Sequence, residues 1–159
     1  MNSGQKTLLT MFGITLAPIL AAQAFYSWWQ PNHVKSYGEL LATESVVPAN
    51  GFWRLVAADP SGCTDNQKQL LFATRQMRLA QGQESHRIQR GSTTVCPALD
   101  SDVAVLAPTT HLQESGLYLI DPHGNLVMRY RPGQIDDNEG RKKAMAEIGK
   151  ILKNNEALG

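Results

Sequence analysis

The sequence is poor in cysteine and nearly balanced in charge. Its 159 residues include two cysteines, too few for a disulfide-rich scaffold or a four-thiolate zinc site. Lysine and arginine number 15 against 14 acidic residues, which gives a formal net charge of +1. Nucleic-acid-binding proteins usually have a large basic excess, so we expect no nucleic-acid partner. The length fits one small domain plus an anchor, and the sequence shows no internal repeat.

Patterns for common enzyme chemistry are also missing. The sequence has no glycine-rich phosphate loop, no arrangement typical of a Ser/His/Asp triad and no recognisable pair of catalytic carboxylates. Hydrolase and nucleotide-binding functions therefore have little support. Hydrophobic residues make up 42% of the chain, which is enough to build a packed core.

A long stretch without charged side chains lies near the amino terminus. It covers residues 7–29, and about 20 helical residues suffice to cross a bilayer core. Trp28 and Trp29 end it with rings that prefer the lipid–water boundary. Lys6 precedes it, so we expect residues 1–6 in the cytoplasm, a single-pass anchor in the lipid of the inner membrane and the remainder in the periplasm.

Two other interpretations of this stretch stay open. Residues 22–24 read Ala-Gln-Ala, a pattern that signal peptidase accepts, and residues 8–22 would then be the apolar region of a cleaved signal peptide. Cleavage would still export the domain. A buried helix of a soluble core is the third interpretation.

The rest of the chain alternates apolar runs with turn residues. Residues 30–50 read as a linker and residues 51–159 as the folded domain. The apolar run 52–58 predicts a buried strand. Helical spacing of apolar residues predicts a helix over 70–80, and residues 87–95 favour a further strand with a Thr-Thr-Val end.

The clearest local signal is a β-hairpin. Residues 117–120 and 126–130 are apolar runs joined by an Asp-Pro-His-Gly-Asn turn. A short helix is expected near residues 102–106, and Asp136 or Asp137 can cap a final helix. The order of strand, helix, strand, hairpin and helix predicts an α/β thioredoxin-like sandwich, a mixed sheet with flanking helices.

Several of these features resemble the Sco/SenC family. They are Cys63 at a strand-to-helix turn, the Val-Cys-Pro of residues 95–97, the Tyr-Leu-Ile-Asp-Pro-His-Gly of residues 118–124 and the preceding anchor. A segment similar to residues 74–82 follows the cysteine turn in short, anchored Sco-like proteins of proteobacteria. The resemblance covers nearly all of residues 53–158.

The resemblance implies a periplasmic thioredoxin-fold domain that assists assembly of cytochrome c oxidase. Members of the family deliver copper to the binuclear copper centre of that enzyme or keep the cysteines of that centre in the reduced, thiol form. They bind the metal through a Cys-x-x-x-Cys pair and a distant histidine. Subunits or assembly factors of the oxidase are therefore the expected partners.

The chain departs from the family's ligand set. Its first cysteine corresponds to Cys63, but the second would fall on Gln67. The histidine would fall on Gln113, two residues from His111. Without a resolving sulfur one helical turn along, the usual dithiol cycle is absent. Thr64 and Gln67 instead fit a capping box, in which the glutamine reaches back to the backbone N–H of the cap.

Cys96 offers another partner for Cys63. Adjacent parallel strands bring their carboxyl ends to one edge of a sheet, and each cysteine follows one such end. We therefore expect a disulfide between them in the oxidising periplasm. A Cu(I) site, with Cys63, Cys96 and His111 as candidate ligands, and two unpaired cysteines are the alternatives. The start of a helix favours a thiolate, which makes Cys63 the candidate catalytic residue.

Three functions fit this sequence. The first is a Sco-like accessory factor that acts around the oxidase by binding a partner, with copper as a candidate cofactor. The second is a thiol–disulfide oxidoreductase that uses Cys63 and Cys96. The third is a non-catalytic structural subunit or interaction domain of a respiratory complex. The incomplete dithiol motif weighs against an enzyme.

Overall fold

The protein divides into two compact units. They are Met1–Lys35 and Ser36–Gly159. Trp29 of the predicted anchor and residues 30–35 of the predicted linker lie outside the described residues. The structure, a computed structural model, describes residues 2–28, 36–107 and 109–158.

The first unit contains one long apolar helix, α1 (Ser3–Trp28). This helix has the length and composition of a membrane span, and a signal sequence has the same features. Its apolar window is fully exposed, unlike the core helix of a soluble protein. The hydroxyls of Thr7, Thr10 and Thr15 donate to carbonyls three or four residues earlier, so they need no water as a partner.

The second unit is an α/β domain with a mixed six-stranded sheet and flanking helices. The strands are β1 (Glu39–Leu40), β2 (Trp53–Ala58), β3 (Ile88–Ser92), β4 (Val103–Val105), β5 (Gly116–Ile120) and β6 (Leu126–Tyr130). The α-helices are α2 (Asp65–Ala80), α3 (Pro132–Ile135) and α4 (Asn138–Asn154). Short 3-10 helices span Gly82–Arg87 and Thr110–Leu112.

The strand order across the sheet is β1-β6-β5-β2-β3-β4. Strand β2 pairs with β3 in parallel, and β3 pairs with β4 in parallel. Strand β5 runs antiparallel to both β2 and β6, and β1 runs antiparallel to β6. Helix α2 is the crossover that a parallel β2–β3 pair requires. The predicted hairpin is confirmed. The helix predicted over residues 70–80 lies within α2, and the predicted final helix is α4.

The two faces of the sheet are covered differently. Alternate residues of β2 point to opposite faces, so Leu55 belongs to one core cluster and Val56 to the other. Helices α2 and α4 cover the first face, where Met77 and Ile148 are fully buried. Irregular chain covers the second face, with Val46 among its buried residues. Both layers exclude water from β2, all six residues of which are buried.

Residues 36–50 belong to the folded unit, in contrast to the predicted linker over 30–50. The carboxylate of Glu147 in α4 accepts hydrogen bonds from the Tyr37 and Gly38 N–H groups at 2.8 and 2.9 Å. It also accepts from the Tyr130 hydroxyl at 3.0 Å. Short β1 then adds an edge strand next to β6. The Glu147 carboxylate and the pairing of β1 therefore hold the start of this segment, and buried Val46 holds its later part.

Two further segments differ from the sequence prediction. Residues 102–106 were expected to be helical, but β4 lies there because its backbone pairs with the exposed edge of β3. Strand β3 ends at Ser92, so the Thr-Thr-Val end of the predicted strand over 87–95 lies in a bend. The Ser92 hydroxyl accepts from the Thr94 N–H at 3.1 Å and turns the chain out of the sheet.

The hairpin turn depends on Gly124. Its φ of +91° lies in the left-handed region that L side chains rarely adopt. Its carbonyl accepts the Val46 N–H at 2.9 Å, so the turn also holds the segment that covers the second face. A Cβ atom at this position would lie 1.9 Å from the Val47 carbonyl oxygen.

We expect Gly124→Ala to lower the free energy of unfolding by about 2–3 kcal/mol, because it combines backbone strain with a backbone clash. Urea denaturation monitored by circular dichroism measures the change. Gly133→Ala is the matched control, since an added Cβ there meets nothing within 4 Å. Equal stabilities of the two variants would contradict this account of the turn.

Candidate functional site

The two cysteines meet at one edge of the sheet. Cys63 follows β2 after a short turn, and Cys96 follows the neighbouring parallel strand β3. Their sulfurs are joined in a disulfide, and their Cα atoms lie 5.4 Å apart. The predicted pairing of Cys63 with Cys96 is thus present. It follows from the rule that adjacent parallel strands bring their carboxyl ends to one edge of a sheet. The described residues include no free cysteine.

Asp59 organises the turn that presents Cys63. Its carboxylate accepts hydrogen bonds from the Ser61 N–H at 3.0 Å, the Thr64 hydroxyl at 2.6 Å and the Asn66 amide at 3.0 Å. Burial of Asp59 opposes its ionisation, but these hydrogen bonds outweigh that effect and hold the pKa of its carboxyl below the ordinary value. The ionised form of Asp59 therefore stabilises the turn.

Acid should weaken this turn in a predictable way. Because the pKa of Asp59 is lower in the folded protein, its contribution is complete above the ordinary pKa of 3.8 and is lost as the pH falls through the folded value. We expect Asp59→Asn to destabilise the domain at neutral pH by about 1 kcal/mol. The difference from the unsubstituted protein should shrink below about pH 4.

Urea unfolding at several pH values tests this expectation. Asp136→Asn serves as the control, because Asp136 is exposed at the end of α3. A stability difference between Asp59→Asn and the unsubstituted protein that stays constant down to about pH 3 would contradict the proposed role of Asp59.

The start of α2 fixes the position of Cys63. Thr64 is the N-cap, and its hydroxyl accepts the Gln67 N–H at 3.1 Å. This half of the predicted capping box is confirmed. The other half is wrong, because the Gln67 side chain points into the core and does not return to the backbone of the cap. The cap nevertheless secures the first turn of the helix immediately after Cys63.

Gln67 occupies a closed polar pocket beneath the disulfide edge. It is fully buried, and its amide donates to the Ala57 carbonyl at 3.2 Å and to the Ser92 hydroxyl at 2.9 Å. Its Oε1 has no hydrogen-bond partner among the described residues. The residue four positions after Cys63 is thus a side chain that ties β2 to β3.

The sulfurs differ in their access to solvent. Cys63 is half-buried, whereas Cys96 is 7% exposed. Val95, directly before Cys96, is 72% exposed. The disulfide therefore lies at the boundary between the core cluster on the helix-covered face and the surface. Such a bond stabilises the fold and still has one partly accessible sulfur.

His111 does not join the cysteines. It lies in the short 3-10 helix after β4, and its Nδ1 is 2.9 Å from a carboxylate oxygen of Glu44. The next residue, Leu112, packs in the cluster on the other face of the sheet. Within residues 2–28, 36–107 and 109–158, no group of three or more His, Cys, Asp or Glu side chains is placed to hold a metal ion.

This arrangement does not fit a bound copper ion. In the disulfide form each sulfur is bonded to the other, so neither Cys63 nor Cys96 is available as a thiolate ligand. The residue one helical turn after Cys63 is Gln67, which supplies no sulfur ligand. We therefore derive no chemical step through a resident metal.

Some residues of the site were not found from the sequence. The hydrogen bonds of Asp59 to Thr64 and Asn66 were not predicted, although aspartate before Pro-Ser-Gly is a known turn signal. Buried Arg90 was also missed. It is 3% exposed in β3 and donates to Asp100 and Asp102 beyond Cys96. A charged residue in the middle of a predicted strand was its only signal.

Comparisons with known proteins find no relative of this chain. No protein-family model matches the chain, and neither a curated protein nor a solved structure matches it. The class that the fold and the site define is thus an α/β domain with a disulfide at the carboxyl ends of two parallel strands, preceded by an apolar helix.

Proposed function

We propose that this chain is a membrane-anchored, Sco-like accessory protein whose thioredoxin-like domain acts in the periplasm during assembly of cytochrome c oxidase. Helix α1 is long and apolar enough to be its anchor, with Lys6 on the cytoplasmic side. The strand order β6-β5-β2-β3, with α2 as crossover and α4 after the hairpin, supports a thioredoxin-like plan. The strand-to-helix turn at Cys63 supports the Sco-like assignment.

The proposed chemistry is thiol–disulfide exchange with a pair of cysteines on the partner. The observation that carries it is the Cys63–Cys96 disulfide at the sheet edge, with half-buried Cys63 directly before the N-cap of α2. A helix start favours the thiolate that exchange releases. The cysteines of the oxidase copper centre are the partner thiols that this proposal names.

The exchange balances without a cofactor. A partner dithiol gives two electrons and two protons to the disulfide, so the partner becomes a disulfide while Cys63 and Cys96 become thiols. The reverse reaction reduces a partner disulfide and requires the reduced pair, which an exported dithiol reductase would supply. Copper enters as the partner's cargo and is not a group held by this domain.

A second candidate function is a non-catalytic interaction domain of a respiratory complex. The low exposure of Cys96 and the buried amide of Gln67 favour it, because both are typical of a disulfide that only stabilises the fold. The redox potential of the pair separates the two functions, since disulfides that only stabilise a protein usually lie below about −300 mV.

The test equilibrates the full chain in detergent with dithiol buffers of known potential and counts alkylated cysteines by mass spectrometry. We expect Cys63 and Cys96 to be reduced as a pair, in folded protein, at a potential above about −300 mV. A lower potential, with reduction only of unfolded protein, would refute exchange and leave the interaction domain.

The partner is tested separately in membranes of the source cells. Cys63→Ser leaves Cys96 as a free thiol that can attack a partner disulfide and form a mixed disulfide, and Cys63 is then missing as the thiol that would release the partner; Cys63→Ser/Cys96→Ser is its matched control. We expect oxidase subunits or assembly factors to be captured by the single variant alone. Equal capture by the two variants would show that thiol chemistry is not the basis of the association.

A further inference from the structure

A groove leads away from the disulfide along α2. Two adjoining depressions share Arg75, Arg90 and Asp100, and together they lie between α2 and residues 96–102. We call this feature the α2 groove. Cys96 lines one end of it, so the groove leads directly to one of the two bonded sulfurs.

One wall of the α2 groove combines apolar and basic side chains. Lys68, Phe72, Arg75 and Leu79 follow one another at intervals of three or four residues, which places them on one face of the helix. Phe72 is 55% exposed and Leu79 is 67% exposed. These two side chains give a chain bound in the groove apolar surface against which it can pack.

One basic side chain that lines the groove has no acidic partner among the described residues. Asp100 is paired with buried Arg90, and Asp102 is paired with both Arg90 and Arg78. In contrast, the exposed guanidinium of Arg75 has no ion pair or side-chain hydrogen bond with the part of the chain that the structure describes. A carboxylate of a bound chain would complete this site.

The length of the groove sets the size of its occupant. Lys68 and Leu79 are eleven residues apart, so this wall is about 16 Å long at 1.5 Å per helical residue. An extended chain covers that length with about five residues. Lys68 borders the same depression as Cys96, and Arg75 lies seven residues further along α2, about 10 Å away, which corresponds to about three extended residues.

We infer that the α2 groove binds an extended segment of the partner protein that carries a cysteine, an apolar side chain and a carboxylate about three residues from the cysteine. The cysteine lies at Cys96, the apolar side chain on Phe72 and the carboxylate at Arg75. This inference rests on the proposed exchange reaction at the same pair and names the substrate class.

The groove also determines which sulfur is attacked. Although Cys96 is only 7% exposed, it lines the groove that holds the partner, so the partner thiolate attacks the sulfur of Cys96 and forms a mixed disulfide there. The bond to Cys63 breaks, and Cys63 leaves with the electron pair as a thiolate at the start of α2. A second partner thiolate then attacks the first partner sulfur and releases Cys96, which takes up a proton.

The test uses two synthetic peptides with a central cysteine, leucine two residues away and a charged residue three residues away on both sides. One peptide carries glutamate and the other lysine. The full chain in detergent is mixed with each, and mixed-disulfide formation is followed by mass spectrometry. We expect the glutamate peptide to react about fivefold faster and to be attached to Cys96.

Charge reversal at the groove tests the role of Arg75. We expect Arg75→Glu to make the lysine peptide the faster one. Lys142→Glu is the matched control, because it makes the same charge change at an exposed residue of another helix, and it should keep the preference for glutamate. Equal rates for the two peptides, or an equal effect of both variants, would overturn the inference.

Two further measurements separate this inference from the proposed function. If an uncharged small thiol reduces the pair while the two peptides react at equal rates, the exchange reaction stands and the groove proposal is refuted. If no thiol reduces the folded protein, a fluorescent peptide with serine in place of cysteine tests the groove by anisotropy. Binding about fivefold weaker to Arg75→Glu supports the groove, and unchanged binding overturns it.

Discussion

Loss of the Cys63–Cys96 disulfide is expected to lower the free energy of unfolding by about 4 kcal/mol, the largest change that we predict. The two cysteines are 33 residues apart, and the bond restricts the unfolded chain by closing a loop of that length. Cys63→Ala/Cys96→Ala keeps small apolar side chains at both positions. For a domain of this size the midpoint of thermal unfolding should fall by about 10–15 °C.

Urea and thermal denaturation of the full chain measure this effect. The unsubstituted protein treated with a dithiol is the control, because it lacks the bond but retains both sulfurs. Both forms should lose similar stability. A loss below about 1 kcal/mol in the double variant would mean that the disulfide contributes little to the fold.

Arg90→Leu is expected to lower the free energy of unfolding by about 3 kcal/mol, at the lower end for a broken buried ion pair. Arg90 is 3% exposed and donates to the Thr74 hydroxyl at 3.0 Å and the Leu71 carbonyl at 3.0 Å. It also pairs with Asp100 and Asp102, each at 2.9 Å. Leucine leaves these acceptors without their donor, whereas the carboxylates keep part of their hydration.

Arg78→Leu is the matched control for this prediction. Arg78 pairs with Asp102 at 2.8 Å on the surface, and such a pair contributes less than about 1 kcal/mol. Chemical denaturation of both variants compares the two arginines. Similar losses would show that burial does not distinguish Arg90. We also expect Arg90→Lys to be unstable, because an ammonium cannot reproduce the fork of a guanidinium.

Local signals predicted those parts of the fold that local sequence decides. The strand over residues 53–58, the hairpin and the cap at Thr64 follow from apolar runs, turn residues and side-chain chemistry within a few positions. The pairing of Cys63 with Cys96 was also predictable, because one topological rule brings adjacent parallel strand ends together.

Other features depend on distant parts of the chain. Strand β4 has three residues and exists through its pairing with β3, as Ala104 opposite Gly91 shows. Its short apolar run was predicted to be helical, because periodicity alone does not distinguish a strand from a helix over so few residues. Gln67 turns inward because the Ala57 carbonyl and the Ser92 hydroxyl lie there to accept its amide, and neither is visible from the helix start. Such contacts are set by tertiary packing, which local patterns do not encode.

The hydrogen bonds that the Glu147 carboxylate accepts from Tyr37 and Gly38 have a consequence for biosynthesis. The first residues of the domain are bound by its last helix, across 110 and 109 positions. A ribosome or translocon delivers those first residues long before α4 emerges. The nascent domain therefore stays open at its edge until the final helix arrives, and a chain truncated before Glu147 cannot close it.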